Sequence, residues 1–310
     1  MVLNWNKAAR TAACVAALAR QTRHLTVVVV DNGSDGAALG ELGRCCVVLR
    51  NERNLGFTGG VNAGIRRALA DGAEFVWLLN NDAEAAPDAL ERMLAAVAAD
   101  PRIGLASPLI RNGDAGDAIE FCGGLRQGND FLTTADPITY ARWSDTAPDR
   151  IWLVGTALLV RRRLIEAIGL FDERFFAYWE DNDYSVRSHA AGFRNVVVPD
   201  AVVRHWSGNP LADAGSKPVH YYYYMARNEM LFLRKHLGLG EIGRPLLWAI
   251  DRQFRLLGRL RAYPAAADAV LAGLWDGFRG RGGAYDPGRR LSPAVLRMLR
   301  GIRWGAGYRV

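Results

Sequence analysis

Continuous apolar runs alternate with amphipathic stretches along the first third of the chain. The runs are predicted to be strands buried on both faces, at residues 1–3, 25–30, 45–49 and 74–79. The stretches with helical periodicity are predicted to be helices, at residues 7–20, 60–70 and 88–99. Such alternation is typical of an α/β fold with a mostly parallel, Rossmann-like sheet covered by helices.

The pattern changes after this region. Residues 111–150 are rich in glycine and aspartate and have weak periodicity, which predicts loops and short strands. An apolar run at residues 151–160, followed by a helix to residue 168, marks the return of regular structure. Residues 239–310 combine helical spacing with many arginines, so we expect a basic helical C-terminal extension after a domain that spans residues 1–238.

Composition narrows the class of protein. Half of the 310 residues are hydrophobic, which is enough for a sizeable core. The sequence has no run of about 18 apolar residues, and the polar Asn4-Trp-Asn so close to Met1 argues against a secretory signal peptide. The four cysteines form no Cys-x-x-Cys pair, so we expect reduced thiols in a cytoplasmic protein.

The net charge of +7 is distributed unevenly, with arginines dense after residue 239. A basic segment favours a polyanionic neighbour such as nucleic acid, anionic lipid or a diphosphate, although a solvated face without a partner explains it equally well. Leu247, Ile250, Phe254 and Leu257 recur at helical spacing with arginines beside them, the pattern of an interfacial amphipathic helix. This apolar stripe is compatible with contact to a membrane surface, with packing against the catalytic domain and with packing against a second subunit.

Three polar clusters follow predicted strands, at residues 31–34, 51–62 and 80–82. Ligands of open α/β sheets bind beyond the carboxyl ends of the strands, so we expect these clusters to lie at one ligand-binding edge. A carboxylate at Asp82 can hold a divalent cation between diphosphate oxygens, although an Asx turn or a helix cap also explains it. The glycine-rich cluster suits phosphate or ribose, but it lacks the P-loop lysine and the dinucleotide fingerprint.

Aromatic residues precede three carboxylates in the segment 175–187. Asp183 stands four residues before Arg187, which predicts a structural ion pair. Glu180 and Asp181 are expected in the first turn of a helix, where capping is the alternative to a functional role. His205 is expected to end a short strand, and without context a lone histidine is more often structural than a ligand.

Together these clusters resemble the family 2 glycosyltransferases of the GT-A fold, particularly bacterial rhamnosyl- and galactofuranosyltransferases, over about residues 1–235. The motifs that carry the resemblance are Asn4-Trp-Asn, Val-Asp31-Asn-Gly-Ser, Asn54-Leu-Gly-Phe-Thr-Gly-Gly-Val-Asn62, Leu-Leu-Asn-Asn-Asp82, Gly155-Thr-Ala-Leu-Leu-Val-Arg-Arg, Gly169-Leu-Phe-Asp-Glu-Arg-Phe-Phe, Trp179-Glu-Asp-Asn-Asp and His205. The resemblance implies a nucleotide-sugar half at about residues 1–110 and an acceptor half at about residues 111–238.

The resemblance also implies roles for particular residues. Asp181 matches the catalytic base, and Trp179 and Glu180 would bind the acceptor. Asp82 and His205 match the ligands of a divalent cation, Mg²⁺ or Mn²⁺. The residues that would bind the donor are Asn4, Asp31, Asn54, Gly60, Asn62, Asn81, Asp82 and Arg227. One departure is Asn80, which stands where the family's metal-binding motif has its first carboxylate.

The implied activity is an inverting, metal-dependent transfer from dTDP-L-rhamnose to a saccharide or lipid-linked acceptor in cell-surface polysaccharide synthesis. UDP-galactofuranose and UDP-N-acetylglucosamine are alternative donors, and a catalytically silent nucleotide-sugar or carbohydrate-binding module is the alternative from another class. We expect a cytoplasmic protein that does not bind nucleic acid. Contact with the inner face of the cell membrane and assembly into a homo-oligomer remain open.

Overall fold

The computed structural model describes residues 1–35, 39–206 and 217–305. The strands are Val2–Asn4 (β1), Val28–Asn32 (β2), Val47–Asn51 (β3), Phe75–Asn80 (β4), Ala83–Ala85 (β5), Ile103–Asn112 (β6), Ala118–Phe121 (β7), Gly123–Gln127 (β8), Asp130–Thr134 (β9), Ile151–Trp152 (β10), Ala157–Arg161 (β11) and Arg194–His205 (β12). The α-helices are Ala8–Leu18 (α1), Gly56–Ala70 (α2), Ala89–Ala99 (α3), Pro137–Thr146 (α4), Arg162–Ile168 (α5), Glu180–Ala190 (α6), Val219–His236 (α7), Gly243–Arg259 (α8), Pro264–Phe278 (α9) and Pro293–Gly305 (α10).

The described residues form two compact units. The first contains the chain up to Asp172 and again from Glu180 through β12, and the second contains Glu173–Trp179 and the described residues from 217 onward. The predicted domain boundary after residue 238 lies inside the second unit, because α7 belongs with the helices that follow it. The extent of the catalytic domain stays a prediction.

A nine-stranded sheet in the order β3-β2-β1-β4-β11-β6-β12-β5, with β7 paired to β6, forms the centre of the first unit. β3, β2, β1 and β4 are parallel to one another, as the alternation of strands and helices predicted. β11 then runs antiparallel between β4 and β6, and β12 is parallel to β6. The α/β fold with a C-terminal helical segment is confirmed, with the parallel part concentrated in the first four strands.

The core of the first unit lies against this sheet. Every residue of β2 is buried, and α1 buries Cys14, Val15 and Leu18 toward the interior. Helices on both sides of a sheet leave no face for polar side chains, which explains the continuous apolar strands.

Three elements differ from the sequence prediction. α2 begins at Gly56, four residues before the start predicted at residue 60, so more of the glycine-rich cluster is helical than expected. α4 lies in a segment expected to hold only loops and short strands, and Asp136 caps it by accepting hydrogen bonds from the backbone N–H groups of Ile138 and Thr139. β12 has 12 residues where a short strand was expected, with a register shift against β6 between Val198 and Val202.

The second unit is built on α7 and α9. Gly273 and Gly277 of α9 allow the close approach of these helices, because a Cβ at Gly273 would lie 2.4 Å from the carbonyl oxygen of Tyr223. A Cβ at Gly277 would lie 2.6 Å from that of Arg227. Within the described ranges, none of the helices combines the length and apolar character needed to cross a bilayer.

Candidate active site

The parallel register of the first strands places Asn4 of β1 opposite Asp31 of β2. The Asn4 side-chain amide donates hydrogen bonds to Asp31 Oδ1 at 3.2 Å and to Ser34 Oγ at 3.1 Å. The Thr11 hydroxyl donates to Asn4 Oδ1 at 2.7 Å, and the Asn81 amide donates to Thr11 Oγ1 at 3.1 Å. A continuous chain of hydrogen bonds therefore joins the carboxyl ends of β1, β2 and β4, where three of the expected donor-binding residues meet.

Asn54 fixes the start of α2 at the same edge of the sheet. Its Oδ1 accepts a hydrogen bond from the Asn32 amide at 3.0 Å and from the Gly56 N–H at 2.8 Å. Asn51 donates to Asn32 Oδ1 at 2.9 Å, which ties β3 to the same cluster. Helix N-termini favour anions, so the position of α2 is suited to a diphosphate.

Gly60 and Asn62 hold α2 against its neighbours. A Cβ at Gly60 would lie 2.4 Å from Leu3 Cδ1, so glycine is what allows the helix to pack on β1. The Asn62 amide donates to the carbonyl oxygen of Phe171 at 2.9 Å, and Asn62 Oδ1 accepts from the Phe171 N–H at 3.0 Å. Both residues thus have packing or structural roles in this structure, and their contacts with a donor stay predictions.

Asp82 and His205 are brought together by the pairing of β5 with β12, in which Ala83 lies opposite His205. His205 Nε2 lies 3.3 Å from Asp82 Oδ1, and His205 Nδ1 lies 3.2 Å from Glu120 Oε1. Burial alone would lower the pKa of His205, but its hydrogen bonds to Asp82 and Glu120 raise it to about 9. Burial likewise disfavours ionised Asp82, yet the hydrogen bond and charge of His205 lower the pKa of that carboxyl.

The pair fits the expected cation, although the described residues contain no group of three or more His, Cys, Asp or Glu side chains placed to hold a metal. Adjacent ligands of an octahedral ion with bonds of about 2.0–2.1 Å lie about 3 Å apart, close to the 3.3 Å between His205 Nε2 and Asp82 Oδ1. A carboxylate on the other ring nitrogen is the usual environment of a metal-binding histidine. Two protein ligands leave the remaining positions of such an ion to water and to diphosphate oxygens.

Asp181 lies in the first turn of α6. Its Oδ2 accepts a hydrogen bond from the Gly155 N–H at 3.1 Å, and its Oδ1 accepts one from the Asn182 N–H at 2.9 Å. Thr156, the residue after Gly155, accepts a hydrogen bond through its carbonyl oxygen from the Asn80 N–H at 2.9 Å. The Asp181 carboxylate therefore lies close to Asn80, the last residue of β4, and Asp82 follows Asn80 by two residues. Burial raises the pKa of Asp181, and the Gly155 and Asn182 N–H groups partly oppose that effect.

Glu180 is more deeply buried than its neighbour, with 6% of its surface exposed, and no hydrogen-bond partner of its Oε2 is present among the described residues. Burial, together with the charge of Asp181, raises the pKa of Glu180 well above its usual value. Burial raises the pKa of both adjacent carboxyls, and only for Glu180 does the charge of its neighbour add to the effect of burial, so ionisation is less favourable at Glu180 than burial alone would make it.

Asp183 is fully buried and pairs with Arg187 at 2.9 Å, which confirms the ion pair predicted from their spacing. Arg187 also donates hydrogen bonds to the carbonyl oxygens of Ile168 at 2.7 Å and Leu170 at 2.9 Å. Arg187 therefore ties α6 to the end of α5 and to the segment that follows it, and Asp183 holds Arg187 in place.

Replacing Asp183 with alanine should lower the free energy of unfolding by about 3 kcal/mol, because Arg187, whose side chain is only 17% exposed, would be left without its counter-ion. Urea denaturation followed by circular dichroism measures the change. Asp88→Ala is the matched control, since Asp88 also pairs with an arginine four residues on but is 41% exposed. The Asp88→Ala substitution should lower the free energy of unfolding by less than about 1 kcal/mol. Equal losses in the two variants would contradict a structural role for Asp183.

Trp179 and Arg227 belong to the second unit. The Trp179 ring lies 5.4 Å from the ring of Phe232. Arg227 is fully buried and donates hydrogen bonds to carbonyl oxygens of Arg174, Phe175 and Gly283. The predicted contact of Arg227 with a donor diphosphate and that of Trp179 with an acceptor stay predictions.

Glu120 is the residue of this site that the sequence analysis missed. It lies on β7, in the segment of weak periodicity, and no motif surrounds it. Glu120 reaches His205 because β6 pairs with β7 on one side and with β12 on the other. Only this non-local pairing identifies Glu120, so a single sequence gives no signal for it.

Comparison with known proteins agrees with this geometry. The profile described as "Glycosyl transferase family 2" matches residues 1–169. The chain is 30% identical over 261 residues to N-acetylglucosaminyl-diphospho-decaprenol L-rhamnosyltransferase of Mycobacterium tuberculosis, covering 77% of this chain and 83% of that protein. It is also 30% identical over 200 residues to galactofuranosyltransferase GlfT1 of the same organism, covering 62% of this chain and 64% of the relative.

A solved structure of similar fold is that of the mannosyltransferase PcManGT from Pyrobaculum calidifontis, determined in complex with GDP-Man and Mn²⁺. The TM-score is 0.55 at 18% identity, and the match covers 99% of this chain and 79% of that one. The profile covers more than half of this chain, and the rhamnosyltransferase aligns with more than two thirds of it. The chain therefore belongs to family 2 of the glycosyl transferases and is a glycosyltransferase of the GT-A fold.

Proposed function

We propose that this protein transfers L-rhamnose from dTDP-L-rhamnose to a hydroxyl of a saccharide carried on a polyprenyl diphosphate, with inversion at the anomeric carbon. The rhamnosyltransferase relative, whose name specifies a diphospho-decaprenol acceptor, supports this choice of donor and acceptor. The observation that carries the proposal is the position of the Asp181 carboxylate, held by the Gly155 N–H beside the strand that leads to Asp82. A protein that only bound sugar nucleotides would not need a buried base there.

Each residue of the candidate site has a separate role in the proposed reaction. The acceptor hydroxyl attacks the anomeric carbon, the bond from that carbon to the diphosphate oxygen breaks, and Asp181 takes the hydroxyl proton. A positioned general base contributes about 10²–10⁴-fold, and a pKa raised by burial makes Asp181 a stronger base than an ordinary aspartate. Glu180 forms a hydrogen bond with the acceptor and orients it. A divalent cation held by Asp82 and His205 would stabilise negative charge on the departing diphosphate.

The donor binds along the edge formed by the ends of β1, β2 and β4. Asp31 and Asn4 contact the base, and Asn54, Asn81 and the first turn of α2 contact the ribose and diphosphate. The hydrogen-bond chain from Asn4 to Asn81 supports this assignment, because it fixes these side chains before a ligand arrives.

A panel of donors offered with a synthetic N-acetylglucosaminyl-diphospho-polyprenol tests the proposal. dTDP-L-rhamnose should be consumed faster than UDP-galactofuranose or UDP-N-acetylglucosamine, turnover should require Mg²⁺ or Mn²⁺, and nuclear magnetic resonance should show an inverted anomeric configuration in the product. Preference for a uridine donor would reject rhamnose as the sugar. Nucleotide binding without turnover of any donor would instead favour the silent binding module.

A saccharide carried on a polyprenyl diphosphate is anchored in a membrane, so we expect the C-terminal helices to contact lipid. Phe254 and Leu257 of the predicted stripe are buried, so only part of that stripe is free to contact lipid. On α8, Leu247 and Trp248 are 66% and 68% exposed, with Arg244 and Arg255 also exposed on the same helix. Apolar side chains flanked by arginines are typical of helices that lie at a membrane surface.

The protein should therefore co-sediment with anionic phospholipid vesicles in low salt, and the Leu247→Ser, Trp248→Ser variant should lose most of this binding. Ile138→Ser is the matched control, because Ile138 is an apolar side chain with 81% exposure on α4, in the other unit. Binding that is insensitive to salt, or equally weakened in the control, would reject this contact.

A further inference from the structure

The segment Glu173–Trp179, called here the aromatic loop, holds three bulky residues in the left-handed region of backbone conformation. Phe176, Tyr178 and Trp179 have φ angles of 64°, 68° and 71°. The left-handed region is disfavoured for residues other than glycine, and such residues keep it only where their surroundings impose it. Backbone strain of this kind concentrates at ligand-binding and catalytic sites.

Asn228 of α7 imposes this conformation. Its Nδ2 lies within hydrogen-bond distance of three loop carbonyl oxygens, those of Phe175 at 3.0 Å, Ala177 at 2.7 Å and Tyr178 at 2.7 Å. The side chain is fully buried, so these contacts have no competition from water. One carboxamide thus gathers carbonyl groups that an extended chain would point in different directions.

Arg227 completes the arrangement. Its Nε donates to Asn228 Oδ1 at 2.8 Å, which fixes the amide with its nitrogen toward the loop. Its guanidinium also donates to the carbonyl oxygens of Arg174 and Phe175, at 3.1 Å and 2.6 Å. The guanidinium carbon lies 4.9 Å from the ring centre of Tyr224. A buried cation needs compensating contacts, and those of Arg227 include two carbonyls of the loop.

We propose that Arg227 and Asn228 are positioning residues that hold the aromatic loop, and that the loop thereby presents Tyr178 as a contact for the acceptor saccharide. Tyr178 is 37% exposed, and its ring packs edge-on against Tyr221 with the ring centres 5.2 Å apart. An exposed, fixed aromatic face is suited to stacking against a sugar ring. The loop leads directly into Glu180 and Asp181 in the chain, so it lies next in sequence to the proposed base. The identity of the ligand rests on the proposed function. The hydrogen bonds from Arg227 and Asn228 to the aromatic loop, called here the clamp, do not depend on it.

Asn228→Asp is the decisive variant, because aspartate has the same shape but cannot donate hydrogen bonds to the three carbonyls. Glu229→Gln is the matched control. Glu229 is a neighbouring buried polar residue of α7, and it accepts hydrogen bonds from Arg252 and Gln253 of α8, away from the aromatic loop. Hydrogen exchange followed by mass spectrometry should show faster exchange in residues 173–179 of Asn228→Asp than in the control. This readout needs no substrate, so it distinguishes a failed clamp from a wrong assignment of the reaction.

Kinetics test the second half of the proposal. Asn228→Asp and the surface variant Tyr178→Ala should each raise the KM for the acceptor by up to about ten-fold, the upper end of what one aromatic contact contributes. Donor affinity, measured by calorimetry with dTDP, should change by less than about two-fold. A normal acceptor KM in both variants would overturn the role of Tyr178. Loop exchange no faster than in Glu229→Gln would overturn the clamp, and a loss of dTDP affinity in Asn228→Asp would return the pair to a role in donor binding.

Discussion

Asp181→Asn should reduce the rate of sugar transfer by about 10²-fold or more while the protein continues to bind the nucleotide donor. Asparagine keeps the shape of the side chain and can still accept the hydrogen bond from the Gly155 N–H, but it cannot take a proton. Because the change removes a function needed only in the transition state, kcat should fall much more than the affinity for the donor. Single-turnover kinetics at saturating acceptor, together with calorimetric titration of dTDP, separate the two quantities.

Glu180→Gln is the control for this prediction. Burial and the charge of Asp181 raise the pKa of Glu180, which favours its neutral carboxyl, and glutamine should mimic that form. We expect the Glu180 variant to keep most of its kcat and to differ mainly in the KM for the acceptor. Near-normal turnover of Asp181→Asn at saturating acceptor, combined with a large loss in Glu180→Gln, would assign the base to Glu180.

The pH dependence of transfer provides an independent check on the same assignment. Burial raises the pKa of Asp181, so protonation should abolish its base function at a higher pH than for an ordinary aspartate. The value of kcat/KM should therefore fall as the pH decreases through this raised pKa and should be constant above it, until other groups titrate. The acid limb should be absent from the residual activity of Asp181→Asn.

β1, β2 and β4 could be predicted because burial leaves a direct trace in the sequence, whereas β3, also expected to be buried on both faces, lies at the edge of the sheet and has no buried residue. β2 and β4 are continuous apolar runs that end in polar residues, and each pairs in parallel with β1, as expected for strands that are connected by helices. The position of β11 could not be predicted in the same way. Its apolar pattern is the same whether the strand runs parallel or antiparallel, since the direction of pairing depends on the chain that precedes it.

The missed helix α4 illustrates a different limit. The signal of a capping aspartate followed by proline, Asp136-Pro137, was present in the sequence. The helix buries only Tyr140 among its residues, however, so it lacks the apolar stripe that makes a surface helix recognisable. Start signals alone do not identify a helix of this kind, because the same residues also occur in turns.

The candidate site also contains some residues that could be predicted from the sequence and others that could not. Asn4, Asp31 and Asp82 follow strands and could be selected from the pattern, whereas the pairing of Asp82 with His205 was implied only by family resemblance. The structure brings these two side chains to 3.3 Å and adds Glu120 to the cluster, which neither pattern nor resemblance indicated.

His205→Ala should weaken the binding of Mn²⁺ in the presence of dTDP, because Asp82 would be left as the sole protein ligand of the pair. Glu120→Ala should weaken it by about 10–100-fold, the usual effect of removing the carboxylate that orients a metal-binding histidine. The expected order of affinity is therefore wild type, then Glu120→Ala, then His205→Ala. Electron paramagnetic resonance of free Mn²⁺ during a titration measures these affinities without reference to turnover.

Glu84→Ala is the control that separates orientation from charge. Glu84 lies on β5, immediately after Asp82 and Ala83, and pairs in register with Arg204, so its removal also takes one negative charge from this edge of the sheet. If Glu84→Ala weakens Mn²⁺ binding as much as Glu120→Ala does, the effect is one of net charge and the Glu120 contact does not orient the histidine. If His205→Ala binds Mn²⁺ as tightly as the wild type, then His205 is a structural histidine held between two carboxylates, and the cation site must be sought among the ligands that Asp82 and the donor diphosphate provide.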